Sequence, residues 1–222
     1  YRSGVPCFFG NGEGGVQPSS TFFTMSNVDS KKLEADVHKH LHEFRRVDGV
    51  SYRCLHWRVA QAEAVGAWPI PDRKSINIFK RVRNDEWTVN CSRVKNIDAT
   101  DSESLTEGEI AGRKQVWELM RFFRKYVPGC EDAVLMKSAY TLGIRESRHI
   151  QGLETLQADN LLNCVVPEDS IFLASNSVDI HGKGGSNRTQ YTPIYGKWYG
   201  VPYKTLVPVG VKKLLVAGSC LR

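Results

Sequence analysis

Hydrophobic and polar positions repeat in two ways along this chain, at helical spacing early and in short strand-like runs later. Thr21 to Met25 is β-branched and aromatic, the composition of a strand. Asp29 or Ser30 then supplies a helix cap, and Leu33, Val37, Leu41 and Phe44 fall on one stripe. Ser75 to Val82 and Trp87 to Val94 predict two strands, joined by the turn-forming Arg83-Asn84-Asp85-Glu86. A second helix is expected from Thr106, which forms a capping box with Glu109, to Tyr126, where Pro128-Gly129 stops it. Ile110, Trp117, Met120, Phe123 and Val127 make one face of it. Val116, Leu119 and Phe122 widen that face, so other elements should cover it.

From Ala133 onward the pattern shortens to β-like runs at Ala133–Ile144, Ile150–Leu156, Ser170–Ala174 and Leu214–Ala217. Helices first and strands later, without βαβ alternation, predict an α+β fold: a mixed or antiparallel sheet packed by two main helices. The clearest flexible loop is Gly182-Lys183-Gly184-Gly185-Ser186-Asn187, directly after His181.

Composition narrows the class without naming a chemistry. With 222 residues, 41% hydrophobic and 24% charged, the chain is an ordinary globular protein, long enough for one sizeable core or two small ones. No apolar run approaches the roughly 18–20 residues that span a bilayer, and the first residues do not read as a signal peptide. The net charge of +6 is read as a mildly basic surface, Lys and Arg being interleaved with Asp and Glu, rather than a nucleic-acid face. Six cysteines, Cys7, Cys54, Cys91, Cys130, Cys164 and Cys220, lie far apart with no C-x-x-C pair. That spacing encodes neither a zinc ribbon nor a disulfide framework, and the thiols are read as reduced in a cytoplasmic setting. No membrane or nucleic-acid partner is expected.

Two patterns invite over-reading. Gly10-Asn11-Gly12-Glu13-Gly14-Gly15 satisfies G-x-G-x-x-G, but Pro6 precedes it and Val16-Gln17-Pro18-Ser19-Ser20 cannot open the helix that a diphosphate needs. It reads as a loop. His38 and His42 stand one helical turn apart with His40 between them, yet no third ligand accompanies them, so no metal is assigned.

The densest charge lies in Gly143-Ile144-Arg145-Glu146-Ser147-Arg148-His149-Ile150. In an extended segment Arg145 and Ser147 point one way, Glu146 and Arg148 the other. A guanidinium in a half-buried strand must be paired or face an anion, because an unpaired charge there costs several kcal/mol. Two readings stand: an internal Arg–Glu pair through Glu146, or Arg145 and Arg148 presenting their forks to an anionic ligand. Further on, Asp179 and His181 share one face of a predicted strand, so the carboxylate can orient the imidazole. The other reading is a polar strand end with His181 bonded to backbone.

Taken in order with Val201-Pro202-Tyr203-Lys204-Thr205-Leu206-Val207-Pro208 and Val211-Lys212-Lys213-Leu214-Leu215-Val216-Ala217-Gly218, these segments resemble the FAD-dependent oxidoreductase family. Its members carry G-x-RESR-x-I-x-G, then DIH, a PYR-S-LVP-like segment and a strand ending in LLVAGR. Gln17-Pro18 leading into Thr21–Met25, and Thr106–Arg113 leading into Phe122–Gly129, fit the same family, so the resemblance covers nearly the whole chain.

The resemblance implies FAD as cofactor, with hydride passing between the flavin and a small-molecule substrate. It places Arg145, Arg148 and His181 on the catalytic side, and Tyr203, Asp179 and Gly218 beside the cofactor. It further implies that residues 1–208 form a substrate or cap portion and residues 209–222 begin a strand returning to the FAD-binding domain. The Rossmann unit and the remaining FAD-binding segment are expected in flanking sequence. Lys204 departs from the family's Arg and loses the bidentate fork, and His149 and Ser219 also replace arginines. The rival reading is a non-catalytic module that binds a small molecule or a protein.

Overall fold

The computed structural model describes residues 4–10, 15–40, 45–47, 51–180, 190–192, 194 and 196–218. In chain order the first elements are β1 (Cys7–Phe9), β2 (Phe23–Ser26), α1 (Ser30–Lys39), β3 (Arg45–Val47), β4 (Ser51–Cys54) and α2 (His56–Ala64). There follow β5 (Ile76–Lys80), β6 (Trp87–Asn90), α3 (Ser102–Tyr126), β7 (Val134–Ser138), β8 (Arg148–Ile150) and α4 (Ala158–Leu162). The last are β9 (Ser170–Ala174), β10 (Val178–Ile180), β11 (Gln190–Thr192) and β12 (Tyr199–Pro202), with a 3-10 turn over Tyr203–Leu206. Every ladder among the described residues is antiparallel. The fold is α+β, as the order of patterns predicts.

The chain divides into two compact units. One, Ser19–Val94 with Glu103–Gly143, is built on a six-stranded sheet in the order β3-β4-β5-β6-β2-β7. Phe23 pairs with Val89, and Val89 with Ile78, so these buried side chains fall on one face of the sheet. Leu33 and Val37 of α1, Val59 and Ala62 of α2, and Val116, Leu119, Met120 and Phe123 of α3 complete the same core. The predicted hairpin forms between β5 and β6, closed by Arg81 N–H donating to Glu86 O at 3.0 Å. Asp29 caps α1 by accepting from the backbone N–H groups of Lys31 and Lys32. The helix ends at Lys39, so Leu41 and Phe44 of the expected stripe lie outside the described residues.

Three features depart from expectation in this unit. The long helix begins at Ser102, not Thr106, and Glu109 is not a capping partner: it accepts from Leu142 N–H at 2.6 Å and pairs with Arg113. Its buried face is also rotated. Gly108, Gly112, Val116, Leu119, Met120, Phe122 and Phe123 are buried, whereas Ile110 and Trp117 are 65% and 55% exposed. The two glycines extend the buried stripe where no large side chain signals it. Finally, α2 was not anticipated, because only Val59 and Ala62 are buried along it, too few to show a helical period.

The other unit comprises Tyr1–Pro18, Lys95–Ser102 and Ile144–Arg222. It holds three two-stranded ladders, β1 with β8, β9 with β12 and β10 with β11. Its small core of Ile194, Tyr199 and Val201 is backed by Leu156, Leu161, Cys164 and Ala174. Ser170–Ala174 is a strand with the boundaries the pattern gives. Leu214–Ala217 makes no ladder among the described residues, its one backbone bond running from Val216 N–H to Leu206 O at 2.9 Å.

Candidate functional site

The Arg-Glu-Ser-Arg segment enters β8, which pairs with β1 so that Phe8 lies opposite His149 and Phe9 opposite Arg148. Arg148 is half-buried and held from two directions. Its Nε–H donates to Thr100 Oγ1 at 2.9 Å and its terminal nitrogen to Asp98 Oδ2 at 3.3 Å, while the guanidinium carbon sits 5.7 Å from the Phe9 ring centroid. Burial alone would raise Asp98. Hydrogen bonds from the Thr100 hydroxyl and N–H, with the charge and hydrogen bond of Arg148, outweigh it and hold the carboxyl below the usual range.

Glu146 is buried and held by other groups. Its Oε2 accepts from Gln17 N–H at 2.7 Å, and its Oε1 lies 3.2 Å from His149 Nε2. The His149 ring stacks on Phe8 at 5.8 Å. The carboxylate orders a backbone and an imidazole, and Arg148 takes Asp98 as an ion-pair partner. Arg145 is exposed, and no hydrogen bond or ion pair from it is seen among the described residues.

The chain running on from β8 reaches a cleft of about 800 Å³. Leu153, Tyr203, Val207, Pro208, Leu214 and Leu215 give it apolar walls, and Lys204, Lys212 and Lys213 also line it. Backbone bonds fix the frame: Leu153 N–H to Val207 O at 2.9 Å, Val209 N–H to Gln151 O at 2.8 Å, and Val216 N–H to Leu206 O at 2.9 Å. Gly210, at φ +78°, and Lys213, at φ +59°, take left-handed backbone and fold the Lys212-Lys213 pair back toward Tyr203. A non-glycine residue held at such a φ costs about 1 kcal/mol or more, which the surrounding bonds must offset.

Two predicted motif segments therefore share one wall system, Tyr203–Pro208 and Val211–Leu215, joined by Leu153; Arg145 and Arg148 are not among the lining residues. Tyr203 stands on it, 44% exposed, its N–H bonded to Asp169 O at 2.9 Å. Gly218 lies beyond, exposed, at φ +88°. Asp179 is in β10, opposite Tyr191 of β11. His181 and the glycine-rich loop after it lie outside the described residues. Sequence reasoning overlooked Leu153, Lys212, Lys213, Asp98 and Thr100. The adjacent lysines ahead of an apolar run were the one available signal.

A model of the family described as FAD dependent oxidoreductase matches residues 1–222. The chain belongs to that family. No curated protein and no solved structure gave a match. The cofactor of this flavoprotein is FAD, and its general activity is oxidoreduction of a small molecule. The dimethylbenzene edge of FAD's isoalloxazine is flat and apolar, and the cleft walls suit that edge. The diphosphate half is usually met by backbone N–H groups at a helix start, and the cleft is lined instead by a 3-10 turn and irregular chain. The lining thus suits the apolar edge of the ring system better than the diphosphate.

Other chemistry in the flavoprotein is accounted for structurally. Burial pushes the Cys91 and Cys130 thiols up to about 12, so neither is a nucleophile at neutral pH. His40 stacks on Trp57 at 4.0 Å, and the Asp36 carboxylate beneath is tied to Arg58 and Trp57. His42 lies outside the described residues, and no group of three or more His, Cys, Asp or Glu among the described ones is arranged to hold a metal. No helix among them is long and apolar enough to cross a membrane.

Proposed function

We propose that this chain supplies the substrate- and flavin-facing part of the oxidoreductase, with hydride passing between FAD and a small-molecule substrate. When bound, FAD supplies the electron-accepting ring. The observation that carries this reading is the convergence of Leu153, Tyr203–Pro208 and Val211–Leu215 on one apolar cleft. Tyr203 and Gly218 border the cofactor in this reading, Tyr203 through its ring and Gly218 through backbone without a side chain to obstruct approach. Arg148, fixed by Asp98 and Thr100, contributes an oriented positive charge, and such a charge steadies the electron density that builds up on reduction. Asp179 stands beside the cofactor in the same reading, and Arg145 and His181 act on the catalytic side, His181 as the proton-transferring group. Residues 1–208 form the substrate portion, and residues 209–222 lead toward the dinucleotide-binding part.

FAD titration of the purified chain, followed by quenching of flavin fluorescence, tests this directly. Saturable uptake that is weakened at least tenfold by Tyr203→Ala, with the fold intact by circular dichroism, is the expected result. Equal uptake by both proteins would remove the cleft from the flavin site. A chain that takes up no FAD but binds small molecules would favour the non-catalytic module.

A further inference from the structure

The positive charge of this chain is not evenly spread. After Asp179 there are seven Lys and Arg and no Asp or Glu, so the last stretch carries +7 and the rest of the chain −1. The interleaving seen along the rest of the chain fails there. Three of those cations, Lys204, Lys212 and Lys213, line the cleft, and no acidic side chain among the described residues lines it with them. None of the three makes an ion pair or side-chain hydrogen bond among the described residues. The walls beside them are apolar and open: Leu153, Tyr203 and Leu215 are 59%, 44% and 53% exposed. Single exposed apolar side chains are ordinary, but several around one concavity mark a binding surface.

We propose that the substrate is an amphipathic anion, an apolar body carrying a carboxylate or phosphate, seated on these walls with its head group among Lys204, Lys212 and Lys213. This rests on the reading of the cleft as the substrate- and flavin-facing site, and adds the class of molecule. Apolar walls desolvate the body of the ligand and lower the local dielectric, which strengthens attraction between the head group and three uncompensated ammonium groups. Lysine suits a variable head group, since its ammonium is a point charge on a flexible stem and demands no planar partner. The diphosphate of FAD is the weaker candidate for these lysines because no α-helix start or glycine-rich strand–helix turn among the described residues lines the cleft with them.

The test is calorimetric titration of the full chain with three probes of equal apolar length: decanoate, decanol and decyltrimethylammonium, all kept monomeric. Decanoate should bind at least tenfold more tightly than decanol, the cation should be weakest, and the preference should shrink as added salt shortens the screening length. The triple variant Lys204→Gln/Lys212→Gln/Lys213→Gln should bind decanoate and decanol alike. Leu153→Ser/Leu215→Ser should weaken both probes together and keep the order. Equal affinity of the unaltered chain for decanoate and decanol overturns the proposal, as does a preference that survives in the triple variant. Lysine-dependent binding to phosphatidylserine vesicles without binding of monomeric decanoate overturns it in favour of a lipid surface. FAD titration of the same preparation separates the two readings. Decanoate selectivity without FAD uptake sinks the flavin-facing reading and leaves the anion site, whereas FAD uptake without selectivity sinks the anion site alone.

Discussion

Removing the Glu146 side chain should destabilise the flavoprotein through a backbone group far away in sequence. Glu146 is 7% exposed, and its carboxylate accepts from Gln17 N–H at 2.7 Å, across 129 residues of chain. Its other oxygen lies 3.2 Å from His149 Nε2. Glu146→Ala leaves a part-buried N–H without that acceptor, which costs about 1–3 kcal/mol. Losing the His149 contact adds about 1 kcal/mol. The sum is about 2–4 kcal/mol, set against a total stability of about 5–15 kcal/mol. Glu146→Gln keeps a carbonyl oxygen for Gln17 and should lose only about 1 kcal/mol.

Urea unfolding followed by tryptophan fluorescence is the assay. At an m-value of about 2 kcal/mol/M, the alanine variant should shift its midpoint down by about 1–2 M and the glutamine variant by about 0.5 M. FAD uptake per folded molecule should be unchanged in Glu146→Gln, because this carboxylate orders the strand entry and carries no charge toward a ligand. An alanine variant within about 0.5 kcal/mol of the unaltered protein, the range of inert surface changes, would refute the reasoning. A glutamine variant as unstable as the alanine variant would show that charge, and not the lone acceptor, holds the segment.

Two further outcomes follow from named contacts. An ideal Cβ at Gly112 would lie 2.3 Å from Thr21 Oγ1, a buried hydroxyl oxygen with no hydrogen-bond partner among the described residues, so Gly112→Ala should cost about 1–3 kcal/mol. Most of that loss should return in Gly112→Ala/Thr21→Ala, and thermal melts of the four proteins of the cycle measure the coupling. Because the native Asp98 carboxyl titrates below its unfolded counterpart, it contributes stability above about pH 4 that disappears as the pH falls through the native value. Asp98→Asn should flatten that acid limb of the stability curve, and an unchanged acid limb would deny the Asp98–Arg148 contact a part in it.

What the sequence determined by itself is local or ordered along the chain. Caps, turns and apolar periods involve neighbours within a few residues, so Asp29 at the start of α1, the β5–β6 hairpin turn and the strand Ser170–Ala174 were legible. The order of four short motifs was legible too, and the family followed from it. Only the tertiary structure decided which residues meet across long separations. Arg148 finds Asp98 across 50 residues and Glu146 finds Gln17 across 129, choices that no periodicity encodes. The rotation of α3 was hidden because Gly108 and Gly112 bury a face without an apolar side chain to announce it. The cleft was hidden for the same kind of reason. Leu153, Tyr203 and Lys212 become neighbours only when left-handed turns at Gly210 and Lys213 fold the chain back, and closure of such a loop is a property of the whole packed unit.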